Sequence, residues 1–143
     1  MTLIYDNSCG LRLIADIIEH APHLKDENIN LVLQPMSKAD VLREYLFSNG
    51  FEILKERYVT DTGKHYVCIL ARFSAVNTPF TDADVSFGKR SVFFDAVCPE
   101  LKSYMELKRE SLLRASEGKR LGGLDNEKEL SLLAELNERM KLI

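Results

Sequence analysis

Cysteine is scarce: Cys9, Cys68 and Cys98 are the only three in 143 residues, and none belongs to a Cys-x-x-Cys pair. An odd number without that spacing argues against a disulfide framework and against a zinc site, and it predicts a reducing, cytoplasmic setting. Tryptophan is absent, and with four prolines and seven glycines the chain is neither collagen-like nor low in complexity. No apolar run approaches the roughly 20 residues of a membrane span. Asp6, Asn7 and Ser8 interrupt the N-terminus where a signal peptide requires an apolar core. Positive charge is not in excess, since 19 Lys and Arg face 22 Asp and Glu for a formal charge of -3. A polyanionic partner must therefore meet a local patch, not the surface as a whole. What remains is a globular composition, 45% hydrophobic and 29% charged, in a length that fits one domain or a small domain with an appendage.

Thr2 to Tyr5 is a β-prone run stopped by Asp6-Asn7-Ser8 and Gly10. Between Leu11 and Ala21, Leu13, Ile14, Ile17 and Ile18 recur at helical spacing until Pro22 ends the helix. Ile29 to Leu33 is almost wholly aliphatic, which predicts a strand covered on both faces in a parallel sheet. Beyond Pro35, Ser37-x-x-Asp40 has the form of a capping box for a helix from Lys38 to Ser48. Its apolar face is Val41, Leu42, Tyr45 and Leu46, and Asn49-Gly50 is its stop. Phe51 to Thr60 and Lys64 to Phe73 are β-rich runs joined by Asp61-Thr62-Gly63, which predicts a hairpin with a turn of about three residues. The resulting order is β-α-β-α-β-β, a right-handed parallel crossover closed by an antiparallel hairpin.

Residues 74–90 lack periodicity and read as a connector, dividing a body at 1–90 from an appendage at 91–143. Pro99 suits the first turn of a helix reaching Glu117, with Leu101, Met105, Leu112 and Ala115 along one side. From Asp125 to Ile143, Leu133, Leu136, Met140 and Ile143 repeat near coiled-coil spacing, and Gly122-Gly123 permits the reversal between the two arms. The first arm is basic, with Lys102, Lys108, Arg109, Arg114, Lys119 and Arg120 against three acids, whereas five acids face three bases in the second. Pairing between the arms accounts for that asymmetry; so does a phosphate-gripping face that includes Lys108 and Arg109.

Gln34 and Pro35 fall just past the strand at 29–33, on the edge where ligands bind in open α/β sheets. Gln34 is thus a candidate for reading a base edge, and a plain strand-ending turn is the alternative. Arg43 either reaches a phosphate with its planar fork or pairs with Asp40, Glu44 or a carboxylate at the sheet. Tyr66 either stacks on a base or, more ordinarily, packs across strands. Cys68 reads as a small half-buried residue, and Cys9 has no neighbouring histidine to activate it. His20 and His23 lack a third ligand, so no metal is expected. Lys89-Arg90 beside Phe87 is an RNA grip or a solvated basic pair. No residue is assigned a catalytic role.

Four stretches in order, Leu31-Val-Leu-Gln-Pro-Met, Leu42-Arg43-Glu44-Tyr45-Leu46, Asn49-Gly50-Phe51-Glu52-Ile53 and Gly63-Lys64-x-Tyr66, resemble the TrmK-type family. These are S-adenosylmethionine-dependent methyltransferases acting on N1 of an adenine in the D-arm region of bacterial tRNA. The resemblance spans residues 11–90 with its core at 31–66, and a C-terminal helical hairpin is also a feature of that family. It implies an α/β fold, the C-terminal half of a Rossmann-like class I methyltransferase sheet followed by a coiled-coil-like α-helical hairpin. It further implies S-adenosylmethionine as cofactor and tRNA as partner, with Gln34, Pro35, Arg43, Lys108 and Arg109 toward the RNA. Asn7 and Gly10 stand where the family's adenine-side Ala-Gly-Met-Gly-Gly loop falls, and only Gly10 matches; Met36 replaces the family's Asn after Gln-Pro. The family's first glycine-containing turn and its ribose-holding acid have no counterpart. The expectation is therefore a truncated form that does not bind S-adenosylmethionine alone, completed by a separately encoded N-terminal half or by homo-oligomerisation. The alternative is a non-catalytic RNA- or partner-binding module.

Overall fold

The computed structural model describes the backbone of residues 2–5, 11–35 and 37–143, and side chains from Ile14 onward, Met36 excepted. The chain forms two compact units, 1–96 and 97–143. The first is built on a sheet of β1 (Thr2–Tyr5), β2 (Asn30–Gln34), β3 (Phe51–Asp61) and β4 (Lys64–Phe73), in the order β1-β2-β4-β3. β1 and β2 are parallel, from Thr2↔Leu31 to Tyr5↔Gln34, and α1 (Leu11–His20) with a 3-10 turn at Pro22–Leu24 connects them. α2 (Ala39–Ser48) crosses from β2 to β3, and β4 returns antiparallel between β2 and β3. The order β-α-β-α-β-β expected from the sequence is therefore present.

Burial alternates along the strands with the two-residue period of a pleat. Leu31, Leu33, Val67, Ile69 and Ala71 are buried, as are Glu56 and Tyr58 of β3, whereas Val32, Gln34, Tyr66, Cys68 and Leu70 are half-buried. β2 is thus not covered equally on both faces, contrary to its aliphatic composition. α2 and the segment following β4 both pack on the side of Glu56 and Tyr58, and Val32 points the other way. Each fully buried Leu or Ile on the inner face contributes about 1.5–3 kcal/mol of transfer free energy.

Local differences from the sequence expectations have identifiable causes. The Ser37/Asp40 capping box does not form. The N-cap is Lys38, whose left-handed backbone (φ 56°) differs from the extended geometry a capping side chain needs, and no side chain caps the helix. The buried face of α2 is Ala39, Leu42, Arg43, Leu46 and Phe47, with Val41 turned out, a rotation of roughly one residue, or about 100°. The hairpin turn has two central residues, not three: Asp61 pairs with Lys64, and Thr62 (φ 47°) and Gly63 (φ 77°) both lie in the left-handed region. That mirror-image turn matches the right-handed twist of the flanking strands.

The connector expected at 74–90 is irregular only in its first part. α3 (Asp82–Phe87) opens on a reciprocal cap, in which the Asp84 amide donates to Thr81 Oγ1 (3.1 Å) and the Thr81 amide to Asp84 Oδ2 (3.0 Å). α4 (Arg90–Asp95) follows, so the first unit closes at residue 96 instead of 90. In the second unit α5 (Pro99–Leu121) and α6 (Glu127–Lys141) form a helical hairpin, with Gly123 (φ 71°) at the reversal. Leu101, Met105 and Ser116 of α5 are buried, and Leu132, Leu133, Leu136 and Arg139 of α6. Ser116, not Ala115, occupies the seam, where it accepts from Asn126 Nδ2 through both its carbonyl (3.2 Å) and its hydroxyl (3.1 Å).

Candidate functional site

Because β2 and β3 run in the same direction and β4 opposes them, Gln34, the C-terminal end of β3 and the start of β4 share one edge of the sheet. In open α/β sheets this edge is where ligands bind. The β3–β4 ribbon projects beyond the last β2–β4 pair, Leu33↔Ile69. Five further pairs run from Arg57↔Cys68 to Asp61↔Lys64, a projection of about 17 Å at ~3.4 Å per residue. On the ribbon's inner face Thr60 Oγ1 and His65 Nδ1 lie 3.2 Å apart. On its outer face Val59 is exposed beside half-buried Tyr66, with Arg57 and Lys64 exposed on either side and Lys55 farther along the same face.

The residues singled out from sequence distribute unevenly over this geometry. Gln34 is half-buried at this edge, register-paired with Tyr5, and Pro35 is buried next to it. Arg43 is not at the surface. Its side chain is fully buried: Nε and Nη2 donate to Glu56 Oε1 (2.7 Å) and Oε2 (3.1 Å), Nη2 also to Tyr58 Oη (3.1 Å), and Nη1 to the carbonyls of Val85 (3.1 Å) and Ser86 (3.2 Å). The expectation of a phosphate contact for Arg43 gives way to a structural one, since a guanidinium enclosed by these acceptors presents no face to RNA. The carboxylate it meets is on the sheet, one of the partners anticipated for it. Glu56 and Tyr58 were not singled out, although a glutamate at an inward position of a β run was the available signal.

Lys108 and Arg109 are half-buried on α5, and Arg109 pairs with Glu106 one turn before it. Arg120 pairs with Glu117 in the same way, while Lys119 reaches across to Glu129 of α6. The basic arm is thus engaged in part by its own acids and in part by the opposite arm. Lys89 is half-buried: its Nζ donates to the Pro79 carbonyl (2.9 Å) and lies 5.5 Å from the centre of the Phe47 ring, whereas Arg90 is exposed and lies over Phe94. His20 Nδ1 sits 2.8 Å from the Asp16 carbonyl oxygen, and no cluster of metal-ligating residues occurs among the described residues. Burial raises the Cys68 thiol above its ordinary pKa. Asn7, Cys9, Gly10 and Met36 lie outside the described residues. An open hollow of about 520 Å³, lined by residues that include His23, Asp26, Asn28 and Phe73, occupies the opposite edge of the sheet.

A family model for a methyltransferase domain matches residues 8–69. No curated protein matches the chain. Among solved structures, Streptococcus pneumoniae Sp1610, described as a candidate tRNA (m1A22) methyltransferase, superposes with a TM-score of 0.72 and 26% identity over 97% of this chain and 61% of its own. The same protein in complex with S-adenosyl-L-methionine gives a TM-score of 0.70 and 25% identity, over 95% of this chain and 60% of its own. The chain is similar to this methyltransferase in fold and in sequence. The B. subtilis m1A22 tRNA methyltransferase TrmK shares the fold at a TM-score of 0.63 and 22% identity, over 98% of this chain and 60% of its own. The chain thus spans about 60% of the length of the proteins it matches.

S-adenosyl-L-methionine is bound in one of these matching structures, and the residues described in this chain do not by themselves fit it. At the C-terminal ends of β1 and β2 they offer one half-buried polar side chain, Gln34, followed by buried Pro35. The orphaned buried side-chain atom among the described residues is Glu129 Oε2, on α6. No helix among the described residues is long and apolar enough to cross a membrane.

Proposed function

We propose that this chain is the substrate-side portion of an S-adenosylmethionine-dependent tRNA (adenine-N1) methyltransferase whose donor crevice is supplied by further polypeptide. The observation that carries the reading is the sheet order β1-β2-β4-β3 with a single parallel pair, combined with 25–26% identity to Sp1610 over nearly the whole chain. The cofactor, where bound, supplies an electrophilic methyl group. Transfer to N1 of adenine then requires a lone pair held in line with that methyl at about 3–3.5 Å, so most of the catalytic effect is positioning. On this reading the chain contributes the edge formed by Gln34 and the β3–β4 ribbon, against which the RNA is oriented, and the helical hairpin supplies further cationic contacts through Lys108 and Arg109.

A non-catalytic RNA- or partner-binding role is the second reading, favoured by the incomplete fit of the described residues to the cofactor. The two separate in one experiment. Unmodified tRNA transcript and radiolabelled S-adenosylmethionine are incubated with the chain, with and without a polypeptide carrying the donor crevice. The methyltransferase reading expects the chain alone to retain tRNA and label to enter tRNA only in the combined reaction. Retention without labelling in either reaction favours the binding module, and failure to retain tRNA contradicts both RNA readings.

A further inference from the structure

We infer that the outer face of the β3–β4 ribbon is a stacking platform for single-stranded RNA, centred on Tyr66 and flanked by Arg57 and Lys64, with Lys55 farther along the same face. The inference deepens the tRNA reading above and rests on it. Register places these groups together. Lys55↔Leu70, Arg57↔Cys68, Val59↔Tyr66 and Asp61↔Lys64 are directly opposed pairs, and directly opposed residues share a face. Exposure confirms which face it is: Lys55, Arg57, Val59 and Lys64 are exposed and Tyr66 is half-buried, whereas Glu56, Tyr58 and Val67 between them are buried.

Two cations, Arg57 and Lys64, beside one aromatic on a projecting strand pair make the combination that holds unstacked bases, the ring taking a base face and the cations the phosphates. Asp61, opposite Lys64, is the one acid on the projecting part of this face; Glu52, on the same face within the sheet, pairs with Arg72 (3.6 Å). Arg57 meets Asp95 at 3.6 Å, but both side chains are more than half exposed, and so loose a pair yields readily to a phosphate. The chain's overall charge of -3 makes a local cationic platform of this kind the form an RNA site must take. Position completes the inference, because the platform lies on the ribbon that projects from the same sheet edge as Gln34. A nucleotide flanking the target adenine, displaced from its stack, would meet Tyr66 there.

The test is fluorescence anisotropy of labelled tRNA transcript, and separately of a short single-stranded RNA, titrated with the full chain. Tyr66→Leu keeps an apolar side chain against Val59 but loses the aromatic face, and it is expected to weaken binding of both probes about 5- to 100-fold. Tyr66→Phe keeps the ring and is expected to bind as the parent does. Lys64 is exposed, so Lys64→Ala tests the platform without loosening the hairpin; it should reduce the slope of log affinity against log salt by about 0.7–0.9. Undiminished binding by Tyr66→Leu, or an unchanged salt slope in Lys64→Ala, overturns the platform while leaving the tRNA reading intact. A parent chain that retains no tRNA overturns the reading itself.

Discussion

Arg43 and Glu56 form a two-point ion pair inside the first unit, Nε to Oε1 at 2.7 Å and Nη2 to Oε2 at 3.1 Å, with both side chains fully enclosed. The pair does more than join α2 to β3. Glu56 Oε2 also accepts from Tyr58 Oη (2.9 Å), and the remaining guanidinium nitrogen holds the carbonyls of Val85 and Ser86 near the end of α3. Gly88, at φ 85°, passes so close that a Cβ there would lie 3.3 Å from Glu56 Oε2. One charged cluster therefore fixes three segments distant in sequence.

Removing either partner leaves a buried charge uncompensated. Arg43→Ala and Glu56→Ala are each expected to lose about 3–5 kcal/mol of stability, measured as the shift in urea midpoint at constant slope. The apolar double variant Arg43→Met/Glu56→Leu should lose less than either single one, because no orphaned charge remains. A larger loss in the double variant would show that the cluster stabilises the unit beyond its own desolvation.

The hairpin turn carries backbone strain at a β-branched residue. Thr62 has φ 47°, so Thr62→Gly is expected to raise stability by roughly 1 kcal/mol. Gly63→Ala should lower it by about 1–2 kcal/mol; a Cβ at position 63 meets no atom within 4 Å, so that cost is purely conformational. Thermal unfolding of both variants checks the pair of signs.

How much of this was legible in the sequence follows the same lines. The crossover order and the hairpin were, because Ile14/Ile18, Leu42/Leu46 and the two β runs carry strong periodicities. The inward turn of Arg43 was not, since a charged residue's default is the surface and its partner Glu56 lies thirteen residues away on another element. α3 was missed although Thr81-x-x-Asp84 is a visible capping signature, because six helical residues are too few to show a period. The tyrosine on the projecting ribbon could be weighed but not placed, since only register tells which face Tyr66 shares and with which cations.

Acid should loosen the helical hairpin through Glu129. Its carboxyl is held below the ordinary value of 4.5, first by the hydrogen bond from Lys119 and then by its own backbone amide. A folded pKa lower than the unfolded one contributes stability that is complete above 4.5 and is lost as pH falls through the lowered value. Lys119→Met should therefore flatten the acid limb of stability against pH, compared with the parent. Glu117, also lowered by its hydrogen bond with Arg120, supplies what acid dependence remains.

Burial disfavours the thiolate of Cys68. Peptide-resolved alkylation with iodoacetamide near pH 8 should label Cys68 more slowly in the folded chain than in urea, with the difference shrinking as pH rises toward the thiol's raised pKa. Equal rates in both states would show that the outer sheet face is open at this position.

The most direct measurement is calorimetric titration of S-adenosylmethionine into the purified chain. If the chain is the substrate side of a methyltransferase body whose donor crevice lies in other polypeptide, no micromolar binding will be seen. Saturable micromolar binding with one cofactor per chain would contradict that division and place the donor site within these 143 residues.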